Sequence, residues 1–291
     1  MSRSQLPLNL HLQQLAYLRE ISRHETWAQA AESLSVSQPA LSQAVAEVER
    51  RLGVPLFEKI GRSRRFTDEG TEVLAYAQEV LGLSQELERS LRLRREGAGG
   101  RLRLGMIDAG SLYLLPRAVE VFRREHPKVD LELSVADSST LERRVQRFDL
   151  DVAFVIGEPG DEGELARELF EEEELFIYAP VGSRGRGHGA DWVLYPPESH
   201  TRACIDEGLE LRGIRPRVVL ESGNPQVLRQ MVVLGLGWSV LPRAVAESDA
   251  LALRRPRGGA VARRSLCVVR RRHRPHDPRA EAFVALARDL R

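Results

Sequence analysis

The chain has 291 residues, 42% of them hydrophobic, enough for two or three domains with ordinary cores. Its 43 basic and 42 acidic side chains leave a formal net charge of +1, so bulk electrostatics supplies no attraction to nucleic acid or to an anionic membrane, and any such attraction has to be local. No apolar run approaches the ~20 residues of a membrane span, Met1 to Pro7 lack a signal-peptide core, and Cys204 and Cys267 lack metal-ligand spacing; a cytoplasmic protein without cofactor or metal is expected, its thiols reduced or, alternatively, a peroxide-sensing pair.

In chain order, the first informative stretch is Ala30 to Ser42. Apolar Trp27, Ala30, Ala31 and Leu34 recur at helical spacing, and the paired alanines are small enough for a second helix to cross closely. Ser35-Val36-Ser37 reads as a tight turn, with Ser37 as N-cap and Pro39 in the first turn of a second helix. Leu41, Val45 and Val48 then face inward, Gln38, Ser42, Gln43 and Glu47 face outward, and Gly53 stops the helix. The spacing predicts a helix-turn-helix whose second helix can enter a DNA major groove by its polar N-terminal turn; an αα-hairpin of a plain helical bundle is the alternative. The next segment favours the first. Between Lys59 and Arg65 stand four basic residues and no acid, and the runs flanking Gly61-Arg62 predict a small β-hairpin, a wing placed to touch phosphate or the minor groove.

Residues 12–70 resemble the DNA-binding region of the LysR-type transcriptional regulators. The resemblance is carried by Ala30-Ala31, Leu34, Ser37-Gln38-Pro39-Ala40-Leu41-Ser42, Leu52-Gly53, Leu56-Phe57, Arg62, Thr67 and Gly70. Tyr17-Leu18 stands where the family usually has Phe, and Lys59 where it often has Arg; both keep the chemistry. The resemblance implies double-stranded DNA as partner, with Gln38, Pro39, Ser42 and Gln43 at bases or groove and Arg62, Arg64 and Arg65 at phosphate or minor groove.

Thr67 to Arg95 reads as one long helix, with Thr67 as cap and Asp68 and Glu69 at the positive end of its dipole. Val73, Val80 and Leu87 repeat at seven residues, as do Leu74 and Leu81, and Ala77, Ser84 and Leu91. Such a stripe favours pairing with a second copy; packing on its own domain is the alternative. The resemblance points to a dimerising linker helix. Gly97-Ala98-Gly99-Gly100 follows as a joint.

Beyond it the order is β-α-β-α-β: strands at 101–107, 129–135 and 150–156, helices at 112–125 and 138–148. Helices between strands imply a parallel sheet. An acidic strand at 165–179, a Gly/Arg loop at 183–189, helices at 202–212 and 225–234, strands at 218–221, 238–241 and 265–270, and a last helix at 278–290 complete the reading. The fold expected is therefore a winged helix-turn-helix (1–67), a linker helix (68–97) and a two-lobed, periplasmic-binding-protein-like α/β effector domain (98–291). The chain is expected to cross to the second lobe near Pro159 and return near Ser265, with lobe one at about 101–160 and 268–291 and lobe two at about 161–267. Leu114-Leu115-Pro116, Asp149 to Ala153 and Val232 to Gly237 extend the family resemblance over nearly the whole chain.

In open α/β lobes ligands sit beyond the carboxyl ends of strands. That places Asp108 and Ser111 after the first strand, Ser138, Ser139 and Thr140 at a helix start, Ile156 at the crossover, Thr201 and Arg202 in the second lobe and Asn224 before a helix as candidates for a small polar effector. A carboxylate suits the helix starts, and Asp108 adds a preference for an amine; Ser138 and Asn224 as mere caps, Asp108 as a residue that only closes a turn, and Arg202 as a surface residue, stay open. The charge blocks Glu171 to Glu174 and Arg254 to Arg274 read as solvated faces, or as pairs between subunits. There is no nucleophile elbow, phosphate loop or His/Cys cluster, so no enzyme is expected. The family resemblance further implies a homodimer assembling into a homotetramer, and RNA polymerase as a further partner.

Overall fold

The structure, a computed structural model, describes residues 10–60, 63–96, 99–183, 187–247, 253, 255–256, 258–272 and 277–290. They fall into two compact units, Met1–Arg92 and Leu93–Arg291. No described helix is long and apolar enough to cross a membrane.

In the first unit α1 (Leu12–Ile21), α2 (Trp27–Ser33) and α3 (Gln38–Leu52) precede a hairpin of β1 (Phe57–Ile60) and β2 (Ser63–Phe66), and α4 (Asp68–Glu96) follows. Local chemistry fixes these limits. Thr26 and Gln29 make a reciprocal capping box on α2. Ser35 turns the chain at φ 55°, Ser37 accepts from the Ala40 amide at 3.3 Å, and Gly53 closes α3 at φ 74°. Thr67 Oγ1 accepts from the Gly70 amide at 2.9 Å and donates to the Pro55 carbonyl at 2.8 Å, tying the start of α4 to the hairpin's approach. Only glycine fits at position 70, where a Cβ would lie 2.0 Å from the Leu56 carbonyl oxygen.

The inward residues expected from the spacing form the core: Ala30, Ala31, Leu41, Val45 and Val48 are buried with Leu18 and Leu56. Each fully buried Leu or Val contributes about 1.5–3 kcal/mol. One face of α4 belongs to this unit, since Ala77 and Leu81 pack on Leu15 of α1. Leu83, Leu87 and Leu91, four residues apart, stay 47, 60 and 55% exposed. The repeat in the sequence therefore splits into an inward and an outward stripe.

The second unit runs β3 (Gly100–Met106), α5 (Pro116–Glu125), β4 (Val129–Val135), α6 (Ser138–Gln146), β5 (Val152–Ile156), β6 (Gly160–Glu162), β7 (Leu165–Tyr178), β8 (Asp191–Leu194), α7 (His200–Glu210), β9 (Arg217–Glu221), α8 (Pro225–Val233), β10 (Ser239–Pro242), α9 (Arg243–Ala246), β11 (Ala262–Arg271) and α10 (Pro278–Asp289). The main sheet has the order β10-β7-β11-β5-β3-β4. β3, β4 and β5 are parallel, as the alternation of helices and strands requires, but β11 is antiparallel to both β5 and β7. The sheet is thus mixed. The helix expected from Leu112 starts only at Pro116, because a single π turn over Gly110–Leu114 precedes it.

Two cores stand along this sheet. Leu165, Phe170, Leu266 and Val268 belong to the first, with Phe122, Phe154 and Phe283; Leu175, Tyr178 and Val261 belong to the second, with Trp192 and Trp238. The passage between lobes therefore lies inside β7 and β11, not near Pro159. The charge blocks also find each other across these strands. Glu173 is opposite Arg264 and Glu174 opposite Arg263 in register, and both pairs are ion pairs. Within the acidic run Glu173 is buried with its cation, while Glu172 and Glu174 stay exposed.

Candidate functional site

The first unit presents the N-terminal turn of α3. Gln38, Pro39, Ala40 and Gln43 are exposed and Ser42 half-buried, since Leu41 and Val45 turn the opposite face into the core. Two elements hold this helix against the hairpin. The amides of Leu56 and Phe57 donate to Glu49 Oε1 at 2.8 and 3.2 Å, and Phe57 packs on Trp27 and Phe66 at 4.9 and 4.3 Å between ring centroids. Glu49 in this role escapes sequence reading, because its partners are backbone groups.

In the hairpin Lys59 faces Arg64 and Glu58 faces Arg65 across the strands. Arg64 is exposed, with its guanidinium carbon 4.7 Å over the Trp27 ring. Arg65 is exposed too, and Arg62 lies outside the described residues. The outward acid of α3, Glu47, is matched: hydrogen bonds from Arg50 and then Arg51, at 2.6–2.8 Å, hold its carboxyl down to about 2. A surface of exposed amides, hydroxyls and guanidinium groups, with Glu47 paired to Arg50 and Arg51, can take hydrogen bonds at base edges and charge at phosphates.

The second unit holds a cavity of about 360 Å³ between its lobes. Asp108, Ser138, Ser139, Ile156 and Thr201, five of the residues expected there, are on its wall. Ser111, Thr140, Arg202 and Asn224 are not among its lining residues, and their hydrogen bonds say why. Ser111 Oγ donates back to the Asp108 carbonyl at 2.8 Å. Thr140 gives its amide to Asp137 at 2.9 Å and accepts from Arg143 at 2.9 Å. Asn224 caps α8 through the Gln226 amide at 2.9 Å, leaving its neighbours Gly223 and Pro225 to line the cavity. Arg202 is buried and occupied by Asp206 at 2.8 Å, the Tyr195 carbonyl at 2.7 Å and Glu221 at 3.2 Å, so it holds the second lobe together.

Several wall residues were not expected, among them Asp137, Tyr195, Glu198, His200 and Arg264. Arg264 is 4% exposed; its Nε donates to Glu173 Oε2 at 2.8 Å and its Nη1 to Thr201 Oγ1 at 3.0 Å. Tyr195 is also 4% exposed, and its hydroxyl meets the Arg264 guanidinium. The available signal was an Arg at an inward position of a strand that alternates toward Leu266 and Val268, with an acid at an inward position of the acidic run.

At the start of α6, burial works to raise Asp137, but hydrogen bonds from Ser139 and Thr140 outweigh it and bring the carboxyl down to about 2. Asp108, half-buried, is shifted the other way, upward, by burial alone. The Ile156 amide donates to Ser138 Oγ at 3.0 Å, which leaves that hydroxyl's proton free to donate. Burial also raises both thiols, Cys267 to about 11, so neither is an activated thiolate. Among the described residues no group of three or more His, Cys, Asp or Glu side chains is placed to hold a metal ion.

Two family profiles match the chain: "Bacterial regulatory helix-turn-helix protein, lysR family" over residues 12–71, and "LysR substrate binding domain" over residues 95–291. A probable RuBisCO transcriptional regulator of Nostoc sp. is 30% identical over 297 residues, covering 96% of this chain and 88% of that protein. The HTH-type transcriptional regulator CbbR of Rhodospirillum rubrum is 28% identical over 239 residues, covering 80% of each. Among solved structures, full-length OxyR from Pseudomonas aeruginosa aligns with a TM-score of 0.72 at 23% identity, covering 96% of this chain and 98% of that one. CbnR in complex with its target DNA aligns at 0.68 and 20% identity, covering 97% and 100%.

Proposed function

We propose, from the premise that this chain belongs to the LysR family of DNA-binding transcriptional regulators, that it reads an operator through α3 and adjusts that grip to a small polar effector held between its lobes. Gln38, Pro39, Ser42 and Gln43 make the base and groove contacts; Arg62, Arg64 and Arg65 hold phosphate or minor groove. One observation carries the DNA reading: an exposed polar helix start stands beside a basic hairpin pinned to it by Glu49.

Two copies join through α4, and the exposed stripe of Leu83, Leu87 and Leu91 supports this. Pairs of dimers form a tetramer on an interrupted dyad, where RNA polymerase is the downstream partner, in the cytoplasm and without catalysis. The effector occupies the cavity with Ser138, Ser139, Ile156 and Thr201 on its wall. It shifts the population of lobe arrangements by binding one of them better than the other.

A DNase footprint of the purified protein, on DNA upstream of its own gene and on a RuBisCO-gene promoter of the kind its relatives' names indicate, tests this. An extended protected stretch with an internal hypersensitive site is the expected result. Uniform, sequence-independent protection by the folded protein overturns it.

A further inference from the structure

We infer that the ligand of the interlobe cavity carries an ammonium nitrogen and that Asp108 is the residue that pairs with it; this rests on the cavity being the effector site. The first argument is charge. Asp108, Asp137 and Glu198 put three carboxyl groups on the wall, and Arg264 is its one guanidinium among the described residues. That guanidinium is already held by Glu173 and Thr201. Asp137 is occupied by Ser139 and the Thr140 amide, and Tyr195 and His200 are the other titratable side chains on the wall.

The second argument is an unmet polar group. The Asp108 side chain has no hydrogen bond or ion pair among the described residues, and only burial acts on its carboxyl. A carboxylate taken partly out of water, with no donor in its place, is a costly arrangement for folding alone. The buried Tyr195 hydroxyl is met by the Arg264 guanidinium. A ligand group beside Asp108 has to donate to it. An ammonium does so with three N–H donors, whereas a carboxylate there would face Asp108, Asp137 and Glu198 with like charge. The free proton of Ser138 remains for a hydroxyl or carboxylate elsewhere on the ligand. At about 360 Å³ the cavity sits at the small end of the ~300–1,000 Å³ range of ligand pockets, which favours a compact molecule.

The test is thermal-shift titration of the full chain with matched pairs: the common amino acids, ethanolamine and diamines, each beside the acid, glycol or diol lacking the nitrogen. Wild type is compared with Asp108→Asn and with Ser139→Phe, which fills the cavity from an exposed position. At least one amine is expected to raise Tm, with its nitrogen-free partner weaker by about tenfold or more. That difference should vanish in Asp108→Asn and the whole shift in Ser139→Phe. A nitrogen-free acid that stabilises wild type and Asp108→Asn equally, but not Ser139→Phe, overturns the ammonium assignment and leaves the effector cavity standing. Shifts that survive Ser139→Phe, or no shift from any pair, overturn both.

Discussion

The two candidate sites are built in opposite ways. The DNA-reading surface comes from one stretch of sequence, the N-terminal turn of α3, supported by a hairpin that follows within a few residues. The cavity takes its wall from the ends of β3 and β5, the starts of α6, α7 and α8, and one residue of β11. In the first unit the polar side chains face solvent and the fold rests on apolar packing beneath them. In the second, the site's own polar groups are part of what holds the lobes: Arg264 joins β11 to β7 and reaches Thr201 of α7. A site made of exposed side chains can change without harm to the fold; a site made of buried ones cannot.

The largest expected effect sharpens that contrast. Arg264→Met leaves Glu173 buried without its cation and should cost the second unit about 3–5 kcal/mol in urea denaturation. Replacing both members, Glu173→Leu with Arg264→Met, should recover most of that loss. A single-variant cost under about 1 kcal/mol would break the comparison, since the cavity floor would then be as dispensable as a surface pair. Gln43→Ala, at an exposed position, should leave stability unchanged and reduce discrimination between operator and random DNA by roughly 1–3 kcal/mol. Arg64→Ala should weaken both DNAs alike and lower the salt slope by about one. Anisotropy titrations over a salt series separate the two, and equal effects of Gln43→Ala on both DNAs would sink the readout role.

The smallest effect lies at the α6 cap. Asp137→Ala should cost ~1 kcal/mol at neutral pH. Because hydrogen bonds bring the folded carboxyl down to about 2, its contribution is complete above the ordinary carboxylate range and lost as pH falls through about 2. Wild type and variant should therefore converge in stability on acidification; a constant gap between them would remove the carboxylate from the account.

Legibility followed the same division. Ser37, Pro39, Leu41 and Gly53 declare α3 because capping, burial and termination act over three or four residues. The wall residues Asp108 and Ser138 were legible for a related reason, as they stand where a strand ends or a helix begins. Arg202 and Arg264 were not. Both are arginines in charged surroundings; tertiary packing of α7 brings Arg202 to the Tyr195 carbonyl and Glu221, and strand register sets Arg264 against Glu173 at the cavity. The crossing expected near Pro159 lies instead within β7, between Phe170 and Leu175, where no turn residue marks the change, whereas the return expected near Ser265 falls between the two cores along β11. In α4 the heptad spacing was visible, but which stripe faces Leu15 is a tertiary fact.

The stacking of Arg64 on Trp27 has a consequence of an optical kind. Of the three tryptophans, Trp192 and Trp238 are buried together in the second unit, 0 and 4% exposed and 6.1 Å apart. Trp27 is the only indole of the first unit, and the cation over its face is one assigned to phosphate. Drawing that guanidinium away to DNA removes a charge from beside the excited ring, while the two sheltered indoles hold a constant background. The wing thus carries an intrinsic emission probe, and its engagement can be followed in unlabelled protein.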